Sequence, residues 1–193
     1  DSSGNVYVTG DTAGGLDGNT SAGGRDLFVV KYYDNGTKQW TKQLGTSGTD
    51  EAYGVAVDNS SNIYVTGTTY GVLDNNTSSV GYDPFVVKYF DNGTKQWVKQ
   101  LGNSSQDWAT GVATDSSGNV YVTGYTSGAL PGVTHQANDD VFLVKYNSSG
   151  TKQWTKQIGK DGDDRARGVA TDSSGNVYAV GSVASYTLFV VAN

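Results

Sequence analysis

The chain has 193 residues, a formal net charge of −6, 17% charged residues, 27 glycines and neither cysteine nor methionine. The acidic balance argues against nucleic acid as a partner, since that binding needs a basic surface to displace counterions, and the lack of Cys removes disulfide and thiol chemistry. No apolar run approaches the roughly 20 residues of a membrane helix, so no membrane insertion is expected. With no Met at its start, the sequence is expected to be a processed or excised piece of a longer product, and its Thr, Ser, Asn and Gly richness points to an extracellular or cell-surface setting.

The first predicted element is a turn and a strand, "DSSGNVYVTG" from Asp1, in which Val6 and Val8 alternate with Tyr7. A long loop from Asp11 to Asp26 follows. "DLFVVKYY" is next, apolar on both sides, with Phe28, Val30 and Tyr32 opposed to Leu27 and Val29. The "DNG" at Asp34–Gly36 is tight-turn chemistry, because Asn and Gly accept positive φ cheaply. "TKQWTKQLG" carries Trp40 and Leu44. "EAYGVAVD" alternates small Ala52, Gly54 and Ala56 with Tyr53, Val55 and Val57. The opening motif then returns at Asp58, Asp115 and Asp172, a fixed period of 57 residues that Trp40, Trp97 and Trp154 share. β-branched and aromatic residues dominate each unit and no helical periodicity is present.

A fixed long period is read before any motif. Four strands per unit, with one strand apolar on both sides, predict stacked four-stranded antiparallel sheets buried on both faces. The fold class is therefore an all-β propeller with blades over 1–50, 51–107, 108–164 and 165–193. The blades carry three, four, four and three strands, so the first and last are incomplete. The Ala/Gly strand belongs innermost, where blades crowd, and the Trp strand outermost, where they splay. A β-solenoid is the rival, but it gives no reason for one small-residue strand and one Trp strand per unit.

The run of Asp, Gly-Val-Ala, Asn, Tyr-Val-Thr-Gly, Val-Lys-Tyr and Gly-Thr-Lys-Gln-Trp positions resembles the bacterial SBBP-type β-propeller repeat. The resemblance covers essentially the whole chain. It implies a blade of large secreted or surface proteins and supplies no catalytic residues. Ring closure is left open between a four-bladed ring, part of a larger ring, and two half-rings making eight blades. Unpaired sheet edges are sticky, so closure or self-association through the incomplete terminal blades is expected.

Chemistry-bearing residues are few. His135 is the single histidine; a solvated loop residue explains it better than a Ser–His–Asp triad. Asp139–Asp140 and Asp163–Asp164 are carboxylate pairs of the kind glycosidases use, but Asp140 and Asp164 recur in every full unit, which favours turn bonding. Asp161, Asp163 and Asp164 could ligate calcium, while Lys160, Arg165 and Arg167 stand ready to neutralise them instead; no other cofactor is expected. Eight Asn-x-Ser/Thr sequons, among them Asn19, Asn35 and Asn76, read first as turn residues.

Positions that break the repeat are the candidates for binding a protein or a glycan: Trp108, which stands where Glu51 and Arg165 stand, with Tyr70, Tyr82 and His135. The long loops that carry several of them should gather on one rim, around Leu16, Leu73 and Leu130. The expected function is a non-enzymatic scaffold, adhesion or assembly module. The alternative is a lectin-like, carbohydrate-binding propeller with sites on that rim, and a polysaccharide-active enzyme comes third.

Overall fold

The structure is a computed structural model that describes residues 1–77, 81–136, 138–184 and 186–192. Among these residues fourteen strands form four antiparallel sheets. Sheet I holds β1 (Val6–Thr12), β2 (Asp26–Tyr32) and β3 (Lys38–Leu44). Sheet II holds β4 (Asp50–Val57), β5 (Ile63–Thr69), β6 (Asp83–Tyr89) and β7 (Lys95–Gln100). Sheet III holds β8 (Asp107–Thr114), β9 (Val120–Thr126), β10 (Asp140–Tyr146) and β11 (Lys152–Ile158). Sheet IV holds β12 (Asp164–Thr171), β13 (Val177–Val183) and β14 (Tyr186–Ala192). Strands pair with their neighbours in chain order throughout, as an up-and-down meander does. This is the all-β propeller architecture expected from the repeat, with three-stranded first and last blades.

The sheets stack through three apolar interfaces, each built from the same two faces. Leu27 and Val29 of sheet I, flanked by Tyr7 and Trp40, meet Ile63, Val65, Phe85 and Val87 of sheet II. One blade on, Tyr64 and Val86 with Trp97 meet Val120, Val122, Phe142 and Val144 of sheet III. Tyr121, Leu143 and Trp154 then meet Val177 and Val169 of sheet IV. Burial on both faces explains the near-continuous apolar run of the second strand in each unit. Among the described residues, no strand of sheet IV packs extensively on a strand of sheet I, so the four blades form an open arc.

At the inner edge the strands crowd. A Cβ on Gly111 would lie 3.2 Å from the Gly168 Cα, and one on Gly54 would lie 3.4 Å from the Gly111 Cα. Ala52, Ala109 and Ala166 are buried there. At the outer edge the indoles fill the wedge: Trp40 donates its Nε1–H to the Asp91 carbonyl at 3.1 Å and Trp97 donates to the Ser148 carbonyl at 3.4 Å. Both acceptors lie in the next blade's tight turn. The turn glycines Gly93 and Gly150 combine a φ near +80° with an indole so close that a Cβ would meet Trp40 at 3.2 Å and Trp97 at 3.0 Å. Lys31 makes a salt bridge to Asp91 in that same turn, and Lys88 donates to the Ser148 carbonyl at 3.0 Å.

One expectation fails on the inner strand. Simple alternation places Ala52 and Gly54 on the same side, but Ala52 pairs with Gly67 and Gly54 with Thr66, leaving Tyr53 as an extra, bulged residue. Thr110 and Arg167 are bulged at the same repeat position. The bulge needs the glycine opposite: a Cβ on Gly67 or Gly124 would lie 1.8 Å from a backbone carbonyl oxygen. A bulge also re-aims its residue, and that matters for the site.

The recurrent aspartates are structural. Asp58 Oδ1 accepts from the backbone N–H of Ser60 and Asn62, and its Oδ2 accepts from the Asn62 amide and the Tyr64 hydroxyl. Asp1, Asp115 and Asp172 repeat that box. Turn asparagines are spent likewise: Asn35 Oδ1 accepts from Thr37 N–H, and the Asn19 and Asn76 amides donate to the Leu16 and Leu73 carbonyls.

Candidate functional site: an aromatic rim

The long connections from β1 to β2, β5 to β6 and β9 to β10 end on one rim of the arc. Backbone hydrogen bonds lace the blades together there: Asp50, Asp107 and Asp164 donate their N–H to the carbonyls of Arg25, Tyr82 and Asp139 in the preceding blade, at 2.7 to 2.9 Å. Leu73 and Leu130 are buried under their loops as small apolar anchors. Repeat positions that carry the fold are constant from blade to blade. Several positions on this rim are not: Arg25, Tyr82 and Asp139 share one, Glu51, Trp108 and Arg165 another, and Asp11, Thr68 and Tyr125 a third.

The variable side chains meet across blade boundaries. Tyr70 packs tilted on Tyr82, with centroids 5.1 Å apart. Tyr82 stacks on Trp108 at 6.1 Å, and Trp108 on Tyr125 at 5.0 Å, each with planes 23° apart. The Arg165 guanidinium closes the row 5.0 Å above the Tyr125 ring centroid. It is held there by Asp139, to which Nε donates at 2.6 Å, and by Asp163 at 3.3 Å. The row therefore spans sheets II, III and IV. At its other end Arg25 pairs with Asp11 at 2.5 Å, and the Tyr53 hydroxyl donates to Glu51 at 2.5 Å. Burial raises the Tyr125 hydroxyl above its ordinary value, and the Arg165 charge opposes that rise.

Beside the row, at the inner edge, lies a cleft of about 370 Å³ lined by Tyr53, Trp108, Thr110, Tyr125 and Arg167. Three of these are the bulged residues of β4, β8 and β12. Thr110 donates its hydroxyl to the Ala166 carbonyl at 2.9 Å, tying β8 to β12. Tyr53 and Arg167 are exposed.

Of the expected binding residues, the structure brings Tyr70, Tyr82 and Trp108 together. His135 lies apart, its Nδ1 3.0 Å from Asp140 Oδ2 and 3.4 Å from the Gln157 amide. Among the described residues no serine hydroxyl is hydrogen-bonded to it. Asp140 is buried and also accepts from Gln136 N–H and Gln157, as its repeat mates Asp26 and Asp83 accept from Gln43 and Gln100. The three aspartates read as possible calcium ligands are engaged separately: Asp164 is buried and accepts from the N–H of Lys160 and Ala184, Asp163 pairs with Arg165, and Asp161 is exposed. Among the described residues no group of three His, Asp or Glu side chains is placed to hold a metal ion. Sequence reasoning missed Tyr125, Arg165, Arg167 and Tyr53. The available signal was their variation at fixed repeat positions, the same signal that singled out Trp108.

Stacked blades with a constant interior and one variable rim define a β-propeller repeat protein. Residues 39–74, 96–131 and 153–182, more than half of the chain, match the SBBP beta-propeller repeat, and the chain belongs to that family. It is similar to an uncharacterized WD repeat-containing protein, L264, of Acanthamoeba polyphaga mimivirus, with 28% identity over 174 residues, 75% of this chain and 12% of that protein. It is also similar to the regulatory protein FlaEY of Caulobacter vibrioides, with 26% identity over 192 residues, 89% of this chain and 20% of that one. The chain thus spans a fifth or less of the curated relatives it matches. Among solved structures, a protein of unknown function from Bacteroides caccae aligns with 90% of this chain and 49% of its own, at 12% identity and a TM-score of 0.48. A glucose dehydrogenase aligns with all of this chain and 79% of its own, at 12% identity and a TM-score of 0.39.

The carboxyl next to Trp108 sets a pH dependence. Burial pushes Asp107 up to about 6, against hydrogen bonds from Thr126 and Asn103 that lower it, and burial raises Asp50 as well. A carboxyl raised above its unfolded value of about 3.9 binds its proton more tightly in the folded state. Its contribution to stability is present below the unfolded value and is lost as pH rises through the folded one. Asp58 and Asp115 act in a lower window: burial pulls them up, but hydrogen bonds led by those from Asn62 and Asn119 hold them down, so what they contribute is lost as pH falls below about 4. Urea unfolding is expected to show stability falling by about 1 kcal/mol between pH 5 and pH 7.5, and Asp107→Asn is expected to flatten that fall.

Proposed function

We propose that this chain is a non-enzymatic, extracellular or cell-surface propeller that serves as an interaction scaffold, and that the aromatic rim receives a protein partner. The observation that carries the reading is the division of labour between positions. Residues that repeat are spent on packing and turns, whereas Tyr82, Trp108, Tyr125 and Arg165 break the repeat and converge across three blades. Tyr, Trp and Arg are the residues that most often dominate protein–protein contacts. The similarity to a WD repeat-containing protein and to a regulatory protein supports the same reading.

The row argues for protein over glycan. A sugar packs its apolar side on an open ring face, and here Trp108 has Tyr82 on one side and Tyr125 on the other, while Tyr125 lies between Trp108 and Arg165. A polysaccharide-cleaving pair of carboxylates is disfavoured as well, since Asp139 is bound to Arg165 and Asp140 and Asp164 are buried on their own loops.

The test exchanges rim residues for those of sister blades, which the scaffold already accommodates: Trp108→Glu, as at Glu51, and Tyr125→Thr, as at Thr68. Peptides selected by display against the chain should bind the double variant at least ten-fold more weakly, with its melting temperature lowered by only a few degrees. Equal binding by the two proteins, or a glycan-array signal that the double variant loses, would overturn the reading.

Self-association belongs to the same proposal. Val6 and Val8 on sheet I are 53% and 45% exposed, while their repeat mates Ile63, Val65, Val120 and Val122 are buried. Tyr178 and Val180 are exposed on the opposite face of sheet IV. Faces of these two kinds meet three times within the molecule, so each exposed face fits one more blade of this kind, and we propose a second copy docked head to tail to make eight blades as its source for this chain. Sedimentation should show a dimer that Val8→Lys converts to monomer. A wild-type chain that stays monomeric at high micromolar concentration would contradict this.

A further inference from the structure

We propose that the inner-edge cleft beside Trp108 is a carboxylate-binding pocket that takes a glutamate or aspartate side chain of the protein partner, with Arg167 pairing the carboxylate. The proposal rests on the rim being the partner surface and adds the chemistry of what enters it.

Three observations converge. First, the cleft is built by bulges. Tyr53, Thr110 and Arg167 are the unpaired residues of β4, β8 and β12, turned out of the strand alternation at one repeat position. Three different side chains from three neighbouring blades thereby line one space of about 370 Å³, large enough for an acidic side chain and its flanking backbone.

Second, the charges around the cleft are settled except one. Arg25 is paired with Asp11, and Arg165 with Asp139 and Asp163. Glu51 accepts from the Tyr53 hydroxyl. Arg167 has no salt-bridge or hydrogen-bond partner among the described residues, so its guanidinium is free for the bidentate geometry that carboxylates favour. Third, the walls suit such a ligand. Trp108 and Tyr125 line the cleft and are stacked on each other, and the edges of stacked rings carry the positive end of the ring quadrupole. The net charge of −6 does not forbid an anion here, because at physiological salt charges beyond about 8 Å are largely screened.

The test uses the four indole N–H resonances of the chain, from Trp40, Trp97, Trp108 and Trp154, with Trp108 assigned through Trp108→Phe. A penta-glutamate peptide is expected to shift the Trp108 resonance, leave the other three in place and saturate in the millimolar range, while penta-glutamine does nothing. Arg167→Gln should weaken the glutamate titration at least ten-fold, and Arg167→Lys should recover part of it. Arg167 is exposed, so neither substitution should unfold the chain. Shifts of equal size with penta-glutamine, or an unchanged titration in Arg167→Gln, would overturn the carboxylate assignment while leaving the rim as a partner surface. No Trp108 shift with any peptide, including those selected by display, would overturn both.

Discussion

The close approach of β4, β8 and β12 at the inner edge is the constraint on which the rest of the molecule depends. Where a Cβ on one glycine would touch the main chain of the next strand, sheets cannot lie flat on one another. They must splay, and the widening gap has to be filled. The indoles do this at the outer edge, each reaching the turn of the following blade through an N–H donor. Small residues inside and large ones outside are two consequences of one wedge geometry. The apolar strands between them supply most of the buried apolar residues, and burial of that kind is the dominant stabilising term in folding.

Much of this was legible in the sequence because the wedge writes itself into residue size. Ala52, Gly54 and Ala56 against Trp40, repeated every 57 residues, specify which strand is inside and which outside. The turn boxes were equally open, since Asp58 and its repeat mates sit at fixed spacing from the N–H groups they accept from. The bulge was not legible. Its signature is an extra residue facing no partner on the neighbouring strand, and the small/large alternation of Ala52 to Val57 runs through Tyr53 as if it were a regular strand position. The glycine opposite, Gly67 or Gly124, is the one trace it leaves, and glycine is too common in this chain to single out.

The site was half legible for a related reason. Trp108, Tyr70 and Tyr82 stood out as breaks in the repeat. Tyr125 and Arg165 vary at their repeat positions too, but their significance lies in packing, Tyr125 on Trp108 and Arg165 on Tyr125 from the next blade. His135 broke the repeat too, yet it serves the local carboxylate Asp140. A repeat break is therefore a necessary mark of this rim and an insufficient one. What the propeller adds is a rigid frame on which unlike side chains from separate units can be set side by side, leaving the shared interior untouched.

The most direct measurement compares Gly111→Ala with Gly168→Ala by chemical denaturation. Both glycines occupy the same repeat position on an inner strand, but a Cβ on Gly111 would press on the Gly168 main chain at 3.2 Å, whereas one on Gly168 would meet only a Val180 methyl at 3.6 Å. The account predicts that Gly111→Ala costs about 1–3 kcal/mol and that Gly168→Ala leaves stability unchanged or slightly raised. Equal tolerance of alanine at the two positions would contradict it.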